Sequence, residues 1–214
     1  MTKLILASKS PRRFELLSMT GLSFEVENAH VDEDKVLADV LNAYKNGGIR
    51  ADMYQIAQEV ACAQAQAKAA AVLKEHEDAI IIGSDTVVVT EKEILGKPSD
   101  EADAHRMLEE LSGRTHRVYT GVSVQAKNEI LNFYSYADVT FHALDTLQKH
   151  LIGEYIASGS PMDKAGAYGI QDAGSLLIDS ISGDYYAVVG LPVARLLREM
   201  REMPACEVLF HADS

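Results

Sequence analysis

The sequence predicts an α/β protein, and three stretches carry that prediction. Leu4-Ile5-Leu6-Ala7 is a short apolar run that breaks at Ser8 into a turn, then into the helix-like Pro11-Arg12-Arg13-Phe14-Glu15-Leu16-Leu17. Residues 54–74 are Ala-rich, a strong helix signal because Ala loses no side-chain entropy in a helix. That helix leads into residues 78–89, continuously apolar and rich in β-branched side chains, as a central strand covered on both faces is.

Within the opening stretch, Ser10 is a good N-cap and Pro11 suits the first helical position, where a missing N–H costs nothing. Free backbone N–H groups and the helix dipole favour an anion there, and Lys9, Arg12 and Arg13 strengthen that preference. The alternative is a capped helix with two solvated arginines. Residues 22–26 read as a short strand running into the acidic turn 28–34, and acidic turns are most often solvated loops. The stretch 38–58 is the least regular of the first half, with Asn46-Gly47-Gly48 breaking two helical segments, so a surface excursion is expected there. Lys68 falls inside the Ala-rich helix, where most lysines are exposed.

Asp85 sits in the middle of the apolar strand. A lone carboxylate is costly there unless paired, hydrogen-bonded or metal-bound. Either backbone donors satisfy it where the strand bends at Gly83, or it projects into a cleft as a base or metal ligand. A turn at Glu91-Lys92-Glu93 leads to Gly96-Lys97-Pro98, and a helix capped by Ser99 or Asp100 is expected to about Leu111. The polar loop 112–117 precedes two alternating strands, 118–126 and 130–141, and then a helix over 146–157. Residues 159–174 read as loop throughout, a length that is often functional. A strand over 175–181, a turn at Ser182-Gly183-Asp184 and a helix over 193–203 close the fold. The tail 204–214 has a short apolar centre, Val208-Leu209-Phe210, and no legible chemistry.

The 214 residues, 47% hydrophobic, suffice for one good core in one domain or two closely packed lobes. A net charge of −12 argues against general binding of nucleic acid or anionic membrane, which makes the cluster at Lys9, Arg12 and Arg13 locally anomalous. A small anionic ligand explains it better than a polyanion. Cys62 and Cys206 are far apart with no metal-ligand spacing; they read as reduced thiols of a cytoplasmic protein, with a single disulfide left open. Met1-Thr2-Lys3 leads directly into a strand without a signal-peptide core, and no apolar run is long enough to span a membrane. There is no GxxxxGK[ST] loop, GxGxxG turn, HExxH or GxSxG elbow. What the chain offers is an anion site at a helix N-terminus, a mid-strand carboxylate, an acidic turn and lysines at 68 and 97. That set suits metal-assisted chemistry on a phosphate.

The same residues carry a resemblance. Ser8-Lys9-Ser10-Pro11-Arg12-Arg13, Asp32-Glu33, Gly83-Ser84-Asp85-Thr86-Val87-Val88, Gly96-Lys97-Pro98, Ser112-Gly113-Arg114-Thr115-His116, Tyr168-Gly169-Ile170-Gln171 and Gly183-Asp184-Tyr185 with Val189-Gly190-Leu191-Pro192 occur in this order. Together they resemble the Maf family of nucleoside triphosphate pyrophosphatases, over nearly the whole chain. The resemblance implies an elongated mixed β-sheet flanked by helices, two lobes with a central cleft, in a single domain spanning 1–214 with an insertion near 38–58. It implies hydrolysis of a nucleoside triphosphate between the α- and β-phosphates with a divalent metal, Mg²⁺ or Mn²⁺. By position, Asp85 matches the family's proton acceptor, and Arg13, Thr86 and Gln171 match its specificity positions. Ser8, Arg12, Glu33, Lys68 and Lys97 match residues lining the phosphate and metal site, the metal falling to Glu33 and Asp85. The Tyr-Gly-Ile-Gln loop resembles the branch acting on dTTP and UTP. Asp172 stands where the family commonly has glycine, and a homodimer is a family-level expectation. The competing reading is a nucleotide-binding regulator of cell division without turnover. A generic phosphatase is a third, separated by releasing orthophosphate.

Overall fold

The computed structural model describes residues 2–48 and 50–210, and among these it forms a mixed seven-stranded sheet with helices on both faces. β1 (Leu4–Ala7) leads into α1 (Pro11–Ser18), β2 (Glu25–Glu27), α2 (Glu33–Gly47), α3 (Met53–Leu73) and the long strand β3 (Ile80–Val89). Then come β4 (Ile94–Leu95), α4 (Glu101–Leu111), β5 (Thr115–Ala126), β6 (Glu129–Phe141) and α5 (Thr146–Ala157). Three short 3₁₀ turns cover much of 160–177. They are followed by β7 (Ile178–Gly183), α6 (Tyr185–Val189), α7 (Val193–Glu202) and, after one more 3₁₀ turn, α8 (Glu207–Phe210). Strand order is β2-β1-β3-β5-β6-β7, with β4 paired on β3. β1 lies parallel to β2 and β3, and every other pairing is antiparallel. The expected α/β mixed sheet is the observed one.

Local chemistry explains most element ends. Ser10 caps α1 by accepting from the Arg13 backbone N–H, and Pro11 follows at the first helical position. Asp52 and Gln55 form a reciprocal capping box at the start of α3. Asp100 rather than Ser99 caps α4. The break at Asn46-Gly47-Gly48 is a helix C-cap, with Gly48 at φ 63°. The stretch 38–58 is mostly helical: α2 and α3 pack together through Leu37, Val40, Tyr44, Ala57 and Val60.

Some boundaries move. Thr115, His116 and Arg117 belong to β5, because Thr115 to Arg117 pair with Asp138 to Thr140 and Arg117 is held bidentately by Asp138 at 2.6 and 2.9 Å. Residues 175–177, expected to open a strand, instead belong to the 3₁₀ turn Ala173–Leu177, whose start the Asp172 carboxylate caps at the Gly174 N–H; β7 begins only at Ile178. The short strand expected over 22–26 is Glu25–Glu27, set by its register on Ile5 to Ala7. Residues 204–210 of the tail are not inert: Cys206 is fully buried, and Leu209 and Phe210 pack on the core beside α7. Residues 211–214 lie outside the described residues. Both cysteines are free thiols, which closes the disulfide alternative. No described helix is long and apolar enough to cross a membrane.

The sheet is covered on both faces, as the continuous apolarity of β3 requires. Leu4, Leu6, Ile80 and Ile82 face α1 and α7, whereas Ile5, Ala7 and Ile81 face the far end of α3. Further along that first face, Val88, Val118, Val139 and Phe141 pack on α4 and α5. On the α3 side the contact is unusually close. A Cβ added at Gly83 would lie 2.2 Å from the Ala65 carbonyl oxygen, and one at Gly121 would lie 2.3 Å from that of Ala61. The Ala57-Ala61-Ala65-Ala69 stripe of α3 therefore lies backbone to backbone on β3 and β5.

Gly121→Ala puts a methyl against main chain that cannot rotate away. Stability is expected to fall by about 3 kcal/mol, lowering the melting midpoint by roughly 6–12 °C for a chain of this size. A thermal melt indistinguishable from wild type would show that α3 is not seated this closely.

Candidate active site

The strand pairings open a gap. β1 covers one edge of β3 only at Ile80 to Ile82, and β4 covers the same edge again only at Val88 and Val89. Between them the middle of β3 has a free edge where β1 ends, a position at which open α/β sheets bind ligands. A cleft of about 1170 Å³ lies there. It is lined by the β1–α1 turn, the start of α2, Gln64 and Lys68 of α3, Asp85 to Val88 of β3, the segment 94–97 and the loop 163–170.

At the bottom of the cleft three charges meet. The Lys68 ammonium lies 2.5 Å from Asp85 Oδ1 and 2.6 Å from Glu33 Oε1. Lys68 and Asp85 are each only 8% exposed. A buried ion is tolerable when paired, and removing one partner of such a pair strands the other. The partner of Asp85 is thus a lysine side chain, not backbone donors at a bend, and Lys68 is not the exposed lysine expected of a surface helix. Glu33 is the first residue of α2, so the acidic turn is a helix start: Asp32 accepts from the Lys35 N–H at 2.9 Å. Gln64, one turn before Lys68, donates to the Glu33 carbonyl at 3.1 Å and fastens α2 to α3. Burial pushes the Glu33 carboxyl up, but the hydrogen bond and charge of Lys68, aided by Lys97 and Arg13, outweigh it and hold the group below the usual carboxylate range.

The basic residues divide by role. Arg13 is a strut: its Nε donates to the Gly190 carbonyl (2.8 Å), one terminal nitrogen to Thr86 Oγ1 (3.1 Å) and the other to Ser8 Oγ (3.4 Å). Burial lowers its pKa, and the nearby Asp85 and Glu33 charges oppose that; a guanidinium stays charged throughout. Lys9, Arg12 and Lys97 also line the cleft, yet none of them makes a hydrogen bond or ion pair among the described residues. Of the alternative with two solvated arginines, then, only Arg12 is uncommitted. Gln171 follows directly on Ile170 of the lining but is itself exposed and outside the wall. The structure thus gathers Ser8, Arg12, Arg13, Glu33, Lys68, Asp85, Thr86 and Lys97 around one cleft and leaves Gln171 at its margin.

Sequence reading missed Gln64, Ser84 and Thr120. Ser84 donates to the Gly121 and Gly190 carbonyls, and Thr120 links Thr86 to the Ala187 carbonyl. These bonds hold the turn at Gly190 against β3 and β5. Only Gln64 left a signal, a polar side chain four residues before Lys68 in the Ala-rich helix.

Two carboxylates converging on one cation can also meet a hard divalent ion. No described cluster offers three or more metal-ligating side chains. Mg²⁺ is usually held by one or two carboxylates together with substrate phosphates, so Glu33 and Asp85 fit that donor set. Free cations above a clamped carboxylate suit a polyphosphate whose charge they neutralise while the carboxylate receives a proton.

The Maf-like protein family matches residues 3–203. The chain is 45% identical over 202 residues to a dTTP/UTP pyrophosphatase of Bacillus cereus, a match covering 94% of this chain and 96% of the relative. It is 44% identical, with the same two coverages, to proteins of the same name from Bacillus anthracis and Bacillus cytotoxicus.

The Glu33 geometry yields a pH signature. A carboxylate with a depressed folded pKa contributes stability that is fully present above its unfolded value, near 4.5, and is lost as pH falls through the folded value. Glu33→Gln is therefore expected to be less stable than wild type at about pH 7, with the difference shrinking in acid. Denaturant melts across pH measure this; a difference that grows on acidification would reverse the assignment.

Proposed function

The chain belongs to the Maf family, and we propose that it is a nucleoside triphosphate pyrophosphatase that hydrolyses dTTP and UTP between the α- and β-phosphates. One observation carries the reading of the site: the Glu33 and Asp85 carboxylates are clamped on the Lys68 ammonium in a cleft also lined by Lys9, Arg12 and Lys97, which have no hydrogen-bond or ion-pair partner among the described residues.

In this reading the triphosphate enters along Lys9, Arg12 and Lys97, whose ammonium and guanidinium groups offset its charge. Lys68 holds Asp85 Oδ1 and leaves Oδ2 without a protein partner among the described residues. Oδ2 takes a proton from a water as the water oxygen bonds to the α-phosphorus. The bond from that phosphorus to the bridging oxygen breaks, and pyrophosphate leaves with both bonding electrons. Ser8 and the backbone N–H of Arg12, the one first-turn donor of α1 that Pro11 and the Ser10 cap leave over, also border the cleft. Mg²⁺ or Mn²⁺ held by Glu33 and Asp85 would add charge neutralisation at the phosphate oxygens.

Base selection falls to Gln171 in this reading, while Arg13 and Thr86, hydrogen-bonded to each other, brace the site. A uracil or thymine edge presents an N–H between two carbonyl oxygens, and one Gln amide can accept from the first and donate to the second. A glutamate there could only accept. The same reading takes the protein as a cytoplasmic homodimer that binds neither nucleic acid nor membrane, which the net charge of −12 supports for polyanions.

Incubating the protein with UTP or dTTP and Mg²⁺ is expected to release pyrophosphate and monophosphate. Orthophosphate alone would identify a generic phosphatase, and nucleotide binding without product would identify a regulator. Asp85→Asn leaves Lys68 paired with Glu33 and keeps an oxygen facing the ammonium, so it is expected to fold with reduced stability and to bind nucleotide but lose about 10²–10⁴ in kcat; wild-type turnover by this variant removes Asp85 as the base.

Gln171→Glu is expected to lower kcat/KM for UTP at least tenfold, about 1.4 kcal/mol, and to reduce the UTP-to-GTP ratio. Steady-state kinetics on both nucleotides check it. An unchanged ratio means that Gln171 does not read the base.

A further inference from the structure

The loop after Lys164 borders the cleft through Tyr168, Gly169 and Ile170, and the carboxylate that ties it down lies outside the cleft lining. Asp172 Oδ1 accepts from the Gly174 N–H and from the Tyr155 hydroxyl, both at 2.9 Å. Tyr155 Oη accepts in turn from the Gly169 N–H at 3.0 Å. Asp172 Oδ2 accepts from the Ser160 hydroxyl at 2.8 Å and lies 3.4 Å from the buried Lys164 ammonium. One carboxylate therefore fixes both ends of the stretch from Gly169 to Gly174 and joins it to the turn at 160–164. The fit is tight: a Cβ at Gly169 would sit 2.8 Å from both Asp172 Oδ2 and Lys164 Cε. Burial pushes the Asp172 carboxyl up, but the Gly174, Ser160 and Tyr155 hydrogen bonds and the Lys164 charge outweigh it and keep the clamp ionised at neutral pH.

We propose that Asp172 is a positioning residue for substrate selection, whose carboxylate holds Gly169, Ile170 and Gln171 in the shape that meets a pyrimidine base. This rests on the reading of the cleft as a pyrimidine nucleoside triphosphate site. Asp172 acts through the chain, since it does not line the cleft itself. A wall already ordered before binding spares the nucleotide the cost of ordering it. That saving applies equally to bound substrate and transition state, so it governs KM and leaves kcat alone.

The test compares wild type, Asp172→Ala, Asp172→Asn, Tyr155→Phe and the Asp172→Ala/Tyr155→Phe double variant, by pyrophosphate release from UTP and GTP with melting curves alongside. Asp172→Ala is expected to raise KM for UTP about tenfold, with kcat within about twofold and the UTP-to-GTP ratio reduced about tenfold. The Asn amide keeps a carbonyl that can accept from Gly174 and Tyr155, so Asp172→Asn is expected to recover most of that ratio. Adding Tyr155→Phe to Asp172→Ala should change the ratio by less than about twofold, because both substitutions break one chain of bonds. An Asp172→Ala protein with wild-type KM and ratio overturns the clamp. So does one that loses kcat and melting temperature together while its ratio stays at the wild-type value. If wild type releases pyrophosphate and only the ratio fails to move, the clamp alone is wrong; if wild type releases none, the parent reading falls and the clamp falls with it.

Discussion

The close seating of α3 on β3 and β5 governs the architecture of the site. Gly83 and Gly121 have no side chains, and the Ala61 and Ala65 carbonyls occupy the space that side chains would need. This brings the helix axis in far enough for Lys68 to reach Asp85, which stands two residues beyond Gly83 on the same face of the strand. A lysine on a helix held off by larger residues would reach for solvent. Here it has little water and two carboxylates, and its pairing with Asp85 makes the burial of both tolerable while the more exposed Glu33 adds a second partner. Gln64 then draws the start of α2 onto the same helix, so the third charge follows from the seating of the first two.

The electrostatics divide between structure and ligand. Arg13 is spent on the fold: it ties α1 to the Gly190 turn and to Thr86, and with Ser84 and Thr120 it braces the wall opposite α3. Lys9, Arg12 and Lys97 carry no such duty. Among the described residues these three cations make no hydrogen bond or ion pair, so one cleft of an acidic protein holds unpaired positive charge. Unpaired cations in a cleft suit a small anion, while the molecule as a whole repels a polyanion.

The far wall is built on different terms. The loop 163–170 hangs on the second apolar cluster, where Tyr168 packs on Phe141 and hydrogen-bonds to His116 at 2.7 Å. His116 is 1% exposed, and burial lowers its pKa to about 4, so it sits in the core as a neutral ring. The Lys68–Asp85 pair and the 163–170 wall thus belong to separate packing units of one sheet. A substitution in the loop can alter what binds without moving the Lys68–Asp85 pair.

Much was legible in the chain because local chemistry decided it. The cap at Ser10, the alanine helix, the covered strand and the α5 boundaries depend on residues close in sequence, and they stand where the sequence put them. Asp85 was legible as well, since a carboxylate inside an apolar strand demands a partner. Which partner it takes was not legible, because it depends on how near α3 comes to β3, and that is set by glycines and alanines scattered from 57 to 121. The same holds for Arg13, whose chemistry reads as a phosphate ligand and whose bonds reach Thr86 and Gly190, far away in sequence. The loop at 159–174 is the clearest case. Its turns are held by side chains from α5 and from its own two ends, contacts that exist only once the second core has formed. Sequence determines the inventory of charges and the local turns; tertiary approach decides which charges meet, because pairing energy depends on distances that no local pattern encodes.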